Sequence, residues 1–275
     1  MKTVTIIVAI AMVAVSLFAL TACAQSPTDK LTFSIADKID ALIYGNYIGQ
    51  NQGGNSQSPS TTGKDTLVVS LTDGLNVRSG KGSSYASLGT LDKGDMVSFV
   101  ALEDGWYKTI YKERVAYVSA NSDYSTIYRM DTAGEKVESV IAVGKSLLGY
   151  PYVWGSQRYH WGNGVLNPNF KAGEFDCSAL TQYAYYKGAG VILDVTTRTQ
   201  VLQGTKVTRE NLKRGDLMFF TNSSRYNLTG TARVGHVAIY LGDNYILHTA
   251  SDHAVIEQIS AKRWSYFIEA RRVLG

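Results

Sequence analysis

The sequence predicts an α+β chain in which a cysteine opens a helix packed on an antiparallel sheet, behind a small all-β barrel. Three observations carry this expectation. Between Thr66 and Ser119, short apolar runs alternate with glycine-containing turns. Directly after Cys177, Leu180, Tyr183, Ala184 and Lys187 recur at helical spacing. Further on, two apolar strands flank Gly242-Asp243-Asn244, and each holds one histidine, His236 and His248.

The 275 residues allow one to two domains of ordinary size, and a hydrophobic fraction of 45% is enough to build a core. The net charge of +4 is small and spread out, with no run of five basic residues, which argues against a nucleic-acid partner. Eighteen tyrosines against eight phenylalanines favour strand surfaces and polar grooves, because tyrosine pairs apolar area with a polar handle. Only two cysteines are present, Cys23 and Cys177. If Cys23 is consumed in processing, Cys177 has no intrachain partner and no disulfide is expected.

Residues 1–23 have the parts of a secretory signal: Lys2, then a nearly unbroken apolar run from Val4 to Leu20. That run is borderline against the roughly 18–20 residues a membrane span needs. Leu20-Thr21-Ala22-Cys23 resembles the lipobox of bacterial lipoproteins. The resemblance implies lipidation at Cys23, export and attachment to a membrane facing the cell wall. Residues 24–64 follow as an N-terminal segment and linker. Apolar positions 31, 35, 39, 42 and 43 suit a short helix, and Gln50 to Lys64 holds no large apolar residue and reads as a flexible spacer.

Residues 65–122 read as the barrel. Its runs include Leu67-Val68-Val69, Met96 to Val100, Trp106 to Ile110 and Val115 to Val118. Leu75-Asn76-Val77-Arg78-Ser79-Gly80, Gly94-Asp95, Gly105-Trp106-Tyr107-Lys108 and Ala116-Tyr117-Val118 resemble a bacterial SH3 domain. That resemblance implies binding of wall peptides or shaping of a neighbouring site. For Trp106 and Tyr107, a place in the barrel's own packing is the simpler reading.

Residues 133–275 form the second domain. Val137, Val140, Ile141, Val143, Leu147 and Leu148 predict a helix from about Gly134 to Leu148. A loop from Ser156 to Gly173 carries Tyr159, His160, Trp161 and Phe170, which either line a groove or anchor the loop. Cys177 then falls in the first turn of a helix with Asp176 as N-cap. A free thiol titrates near ~8.5, so little thiolate exists at neutral pH without help. A helix N-terminus offers that help through its unpaired N–H groups. A buried structural cysteine is the competing reading at this point.

The two histidines bear on that choice. A two-residue loop pairing Gly242 with Tyr245 would put His236 and His248 on opposite faces. A three-residue loop, pairing Leu241 with Tyr245, sets Ala238 opposite His248 and makes the histidines diagonal neighbours on one face. The three-residue loop is expected, with Asn244 in the left-handed conformation. Two in-phase histidines and a helix-opening cysteine fit a thiol, a base and an orienting group. His160 and His253 lie in loops and are given no role.

Pro151-Tyr152-Val153-Trp154-Gly155, Phe175-Asp176-Cys177-Ser178-Ala179-Leu180, Arg214-Gly215-Asp216-Leu217 and Gly235 to Gly242, followed by His248, resemble in order the blocks of the NlpC/P60 family of papain-like cysteine peptidases. The resemblance implies Cys177 as nucleophile, His236 as general base and His248 as the residue orienting it. It implies Tyr152 beside the oxyanion, and Asp176 and Ser178 as positions that meet the amino end of a stem peptide. The implied substrate is a peptidoglycan stem peptide, cut after γ-D-glutamate and before diaminopimelate or lysine, with no metal or other cofactor. A monomer is expected. Two departures stand out: Ala179 replaces a usual glycine, and the 156–173 loop is long. A wall-binding protein with an inactive peptidase fold, and an amidase or acyltransferase on the same fold, are the alternative readings.

Overall fold

The computed structural model describes residues 63–250 and 252–275. The expectations for the signal segment, Cys23, the 31–43 helix and most of the linker lie outside the described residues.

Eight strands build the barrel. They are β1 (Lys64–Ser70), β2 (Leu75–Arg78), β3 (Ser87–Leu91), β4 (Met96–Ser98), β5 (Ala101–Glu103), β6 (Trp106–Tyr111), β7 (Arg114–Ser119) and β8 (Ser125–Asp131). They pair as a five-stranded sheet, β3-β2-β7-β6-β5, and a three-stranded sheet, β4-β1-β8. Strand β8 was not foreseen. It pairs with β1 along its full length, from Lys64↔Asp131 to Ser70↔Ser125. Its burial pattern buries only Ser125 and Met130, so no apolar alternation marks it in the sequence.

Helix α1 (Glu135–Ser146) starts after Gly134, with Glu135 and Glu138 in its first turn and Lys145 in its last, the charge order a helix dipole favours. Helix α2 (Cys177–Ala189) ends at Gly190, whose φ of 66° gives the left-handed cap expected of a glycine there. The two helices pack closely. A Cβ on Gly188 would sit 2.5 Å from the Val140 Cα, so only glycine lets the backbones meet.

After a short helix α3 (Thr197–Gln200) come β9 (Thr205–Val207), β10 (Leu217–Phe220), β11 (His236–Gly242), β12 (Tyr245–Thr249), β13 (Ala254–Gln258), α4 (Ala261–Ser265) and β14 (Phe267–Arg272). The strands form one antiparallel sheet in the order β13-β12-β11-β10-β14-β9. All four residues of β10 are buried, as a central strand requires.

The hairpin between β11 and β12 corrects the loop expectation. Gly242 pairs with Tyr245, so the turn has two residues, Asp243 and Asn244, with φ of 49° and 67°. The register then shifts, and Tyr240 pairs with Ile246 and Ile239 with Leu247. One residue of β11 is therefore bulged out near Leu241, which restores the parity a three-residue loop would have given. Ala238 still stands level with His248, and both histidines share a face.

Barrel and helix–sheet domain share one hydrophobic core. The β6–β7 turn inserts at the end of α1: Lys112 N–H donates to Leu148 O at 2.9 Å and Glu113 N–H to Ser146 O at 2.8 Å. Glu113 accepts the Tyr150 hydroxyl at 3.0 Å and the Tyr183 hydroxyl at 3.3 Å. Tyr111 lies against Gly149, which has φ of 85° and where a Cβ would fall 2.1 Å from the ring. Asp65 of β1 bonds Lys145 and Arg214, each at 2.6 Å, and Arg214 also grips Glu138 at 2.7 and 2.9 Å.

Candidate active site

Cys177 is the first residue of α2 because Asp176 ends the preceding extended segment and caps the helix. Asp176 Oδ1 accepts the Ala179 N–H at 2.8 Å and the Ser178 hydroxyl at 2.9 Å. Segment 151–153 runs beside this start: Phe175 N–H donates to Pro151 O at 3.1 Å and Val153 N–H to Phe175 O at 3.2 Å. Tyr152 bridges Phe175 and donates its N–H to Asp252 O at 2.7 Å, which fixes its backbone at the helix entrance. Burial raises the Tyr152 hydroxyl pKa, and the nearby Cys177 and Asp176 add to the rise.

The sheet brings the histidines to the same place. His236 Nε2 lies 2.9 Å from His248 Nδ1, with the rings edge to face at 5.0 Å. His248 is fully buried, and its Nε2 lies 3.0 Å from Glu257 Oε1 on β13. Since β13 pairs His248 with Val255 and Ile246 with Glu257, Glu257 is the next diagonal neighbour. His236, His248 and Glu257 thus run diagonally across β11, β12 and β13. The N–H of Val237, next to His236, and that of Ser178 both act on the Cys177 thiol.

The thiol does not meet the low-pKa expectation. Cys177 is 7% exposed, and burial pushes its thiol up to about 12, with the Asp176 charge adding to the rise. The Val237 and Ser178 N–H groups and Arg158 pull the other way and do not offset desolvation. His236 falls well below 6.5, again through burial first and then the neighbouring His248 and Arg263. Burial thus favours a neutral thiol and a neutral imidazole at rest. Alkylation of Cys177 by iodoacetamide is expected to keep accelerating past pH 10, where a preformed ion pair would level off near neutrality.

Asp176 and Ser178 do not present free polar atoms to a groove. Arg158, from the long loop, donates through Nη2 to Asp176 Oδ2 at 2.8 Å and to Ser178 Oγ at 3.1 Å. Gly155 N–H adds a contact to Oδ2 at 3.2 Å. Arg158 is itself held by Val195 O at 2.6 Å and Ser156 O at 2.7 Å. The loop is anchored from within: Tyr159 meets Phe170, Tyr183 and Tyr186 edge to face, and His160 is fully buried. Trp161 remains 55% exposed and Trp154 85%. Among the described residues, no three His, Cys, Asp or Glu side chains are placed to hold a metal ion.

Sequence reasoning missed Arg158 and Glu257. Arg158 had no signal beyond lying in a polar loop. Glu257 had one, the alternation of Val255-Ile256-Glu257 into the next strand, which would have put it in phase with His248 had β13 been recognised.

The chain is similar to known proteins over both of its domains. Residues 149–272 match the model of the NlpC/P60 family and residues 73–126 that of the bacterial SH3 domain. The peptidoglycan DL-endopeptidase CwlO of Bacillus licheniformis is 33% identical over 145 residues, covering 52% of this chain and 29% of that protein. A gamma-D-glutamyl-L-lysine dipeptidyl-peptidase of Bacillus cereus is 32% identical over 154 residues, covering 54% of this chain and 40% of that protein. A solved structure from Staphylococcus aureus, described as similar to lipoprotein of the NLP/P60 family, is 29% identical, covering 52% of this chain and 43% of that one, at a TM-score of 0.41. The chain thus spans well under half the length of these curated relatives.

Proposed function

We propose that this chain, which carries an NlpC/P60 domain behind a bacterial SH3 domain, is an exported cell-wall hydrolase: a cysteine endopeptidase that cuts peptidoglycan stem peptides between γ-D-glutamate and the third-position diamino acid. The observation that carries the proposal is the diagonal line His236–His248–Glu257, together with the N–H of Val237, next to His236, acting on the thiol of a helix-opening cysteine.

In this reading, Cys177 Sγ attacks the scissile carbonyl carbon while His236 takes the thiol proton. The carbonyl π pair moves onto oxygen, where the helix N-terminus and Tyr152 stabilise it. The tetrahedral intermediate collapses, the C–N bond breaks, and His236 gives its proton to the leaving amine. Water then attacks the thioester with His236 again as base, releasing the γ-D-glutamyl carboxylate and the Cys177 thiol. The ion pair forms only during attack, which suits two groups that burial keeps neutral at rest.

Asp176 and Ser178 serve in this reading to hold the N-terminus of α2 and to seat Arg158, and the substrate meets them only if Arg158 moves. The chain is further proposed to be tethered through lipid at Cys23, as the lipobox resemblance implies.

The products test the reaction class. Digestion of purified peptidoglycan, followed by mass spectrometry of the fragments, is expected to yield new γ-D-glutamyl carboxyl termini and free amines on the third stem residue. A freed lactyl group with an intact stem would identify an amidase instead.

A further inference from the structure

The geometry points to Glu257 as the residue that sets the tautomer of the general base, acting through His248 as a positioning residue. The inference rests on the peptidase reading for its consequence, but the proton placement follows from the hydrogen bonds and the charge states of the three groups.

Three facts fix the protons. First, Glu257 is ionised at neutral pH. Burial would raise it, but the hydrogen bond from His248 and the charge and hydrogen bond of Arg263 hold it below the usual carboxylate value. An ionised carboxylate only accepts hydrogen bonds. Second, His248 is neutral, since burial and the Arg263 charge together outweigh the lift from Glu257 and the Thr249 backbone. Its single N–H must therefore be Nε2–H, which donates to Glu257 Oε1 at 3.0 Å and leaves Nδ1 with a lone pair. Third, His236 is neutral as well and its Nε2 lies 2.9 Å from that lone pair. Its proton must sit on Nε2, so Nδ1 keeps the lone pair a base needs.

With the opposite tautomer, His236 Nδ1 would carry a proton and could take none from Cys177. Glu257 thus decides, two imidazoles away, whether the cysteine has a base. When His236 becomes positive during attack, the same carboxylate lies at the end of the line and stabilises the charge.

Other groups face Glu257. Arg263, on α4, places Nη2 3.2 Å from the same Oε1 that accepts from His248. Two donors converging on one oxygen fix which oxygen faces the imidazole. From the barrel, β4 packs on β13 and brings Asp95 within electrostatic reach of Glu257 and His253. The SH3-like barrel therefore contacts the strand that carries the end of this line.

The test combines ring-nitrogen spectroscopy with kinetics on the purified protein. In the wild type, nitrogen NMR of the histidine rings is expected to show both His236 and His248 protonated at Nε2 and bare at Nδ1. Glu257→Ala is expected to lose that single pattern and to lower kcat about 10- to 100-fold, as for other partners that orient a working histidine, with KM within about threefold. Glu257→Gln keeps the shape, and Arg263 turns its amide oxygen toward His248, so the ring-nitrogen pattern is expected to persist, while loss of the charge lowers kcat by less than the alanine does. A wild-type His236 carrying its proton on Nδ1 would overturn the proposal. So would a Glu257→Ala variant with unchanged pattern and kcat, or a folded Glu257→Gln variant that loses the ring-nitrogen pattern as the alanine does. Should Glu257→Ala not fold, the wild-type spectrum and the glutamine variant still decide. If Cys177→Ala continued to hydrolyse wall peptides, the peptidase reading would fail, while the ring-nitrogen pattern would still judge the tautomer.

Discussion

Replacing His236 with alanine is expected to lower turnover by about 10⁴- to 10⁶-fold, the scale seen when a nucleophile–base pair loses its base. The reason is specific to this site. A thiol pushed up to about 12 ionises little at neutral pH, so the proposed mechanism needs His236 to remove the proton at the moment of attack. A cysteine with a strongly depressed pKa would keep more of its rate without the histidine. Stem-peptide hydrolysis followed by amine release, at saturating substrate, checks this. Loss of less than about tenfold would mean that another group takes the proton. His248→Ala is expected to retain more activity than His236→Ala, because water can accept the His236 Nε2 proton in its place.

Replacing Arg214 with alanine is expected to destabilise the fold by about 3–5 kcal/mol, the cost of breaking a buried ion pair from one side. Arg214 is enclosed, with its side chain only 6% exposed, and it contacts Asp65, Glu138 and Leu241 O. Without it, Asp65 keeps Lys145 while Glu138 loses both of its Arg214 contacts. The network joins β1 of the barrel to α1 and to the end of β11, so its loss loosens the two domains together. The pH dependence has a definite sign. Burial would raise Asp65, but Lys145 and Arg214 outweigh it and hold its pKa below the ordinary aspartate value. A depressed carboxylate contributes stability that is present above that value and disappears as pH falls through the folded one. Urea unfolding at pH 7 and at pH 3 is expected to show the wild type losing more stability on acidification than Arg214→Ala. A difference under about 1 kcal/mol at pH 7 would mean the network adds little beyond its own desolvation cost.

What the sequence disclosed follows from how local each feature is. The cysteine at the head of α2 was legible because a helical repeat, a capping aspartate and a closing glycine all lie within fifteen residues. The shared face of the histidines was legible because strand parity is a counting property. The route to it was not. A bulge in β11 and a two-residue turn give the same phase as a three-residue loop, and spacing alone cannot separate them. The thiol's high pKa was hidden for a related reason: the helix end is visible in the chain, but the burial that overrides it belongs to the assembled fold. Charges that meet across long separations were the least legible. Arg158 reaches Asp176 from eighteen residues away and Arg214 reaches Asp65 from 149 away, with nothing in either segment to announce the partner.

Cys177 is the proposed nucleophile for stem-peptide cleavage. Its most direct test compares wild-type protein with Cys177→Ala on the same purified peptidoglycan, counting new γ-D-glutamyl termini by mass spectrometry. The side chain is small and buried, so the variant should keep its fold, which circular dichroism can verify. The expected result is abundant new termini from the wild type and none above background from the variant. Equal yields of the same termini from both would contradict the account.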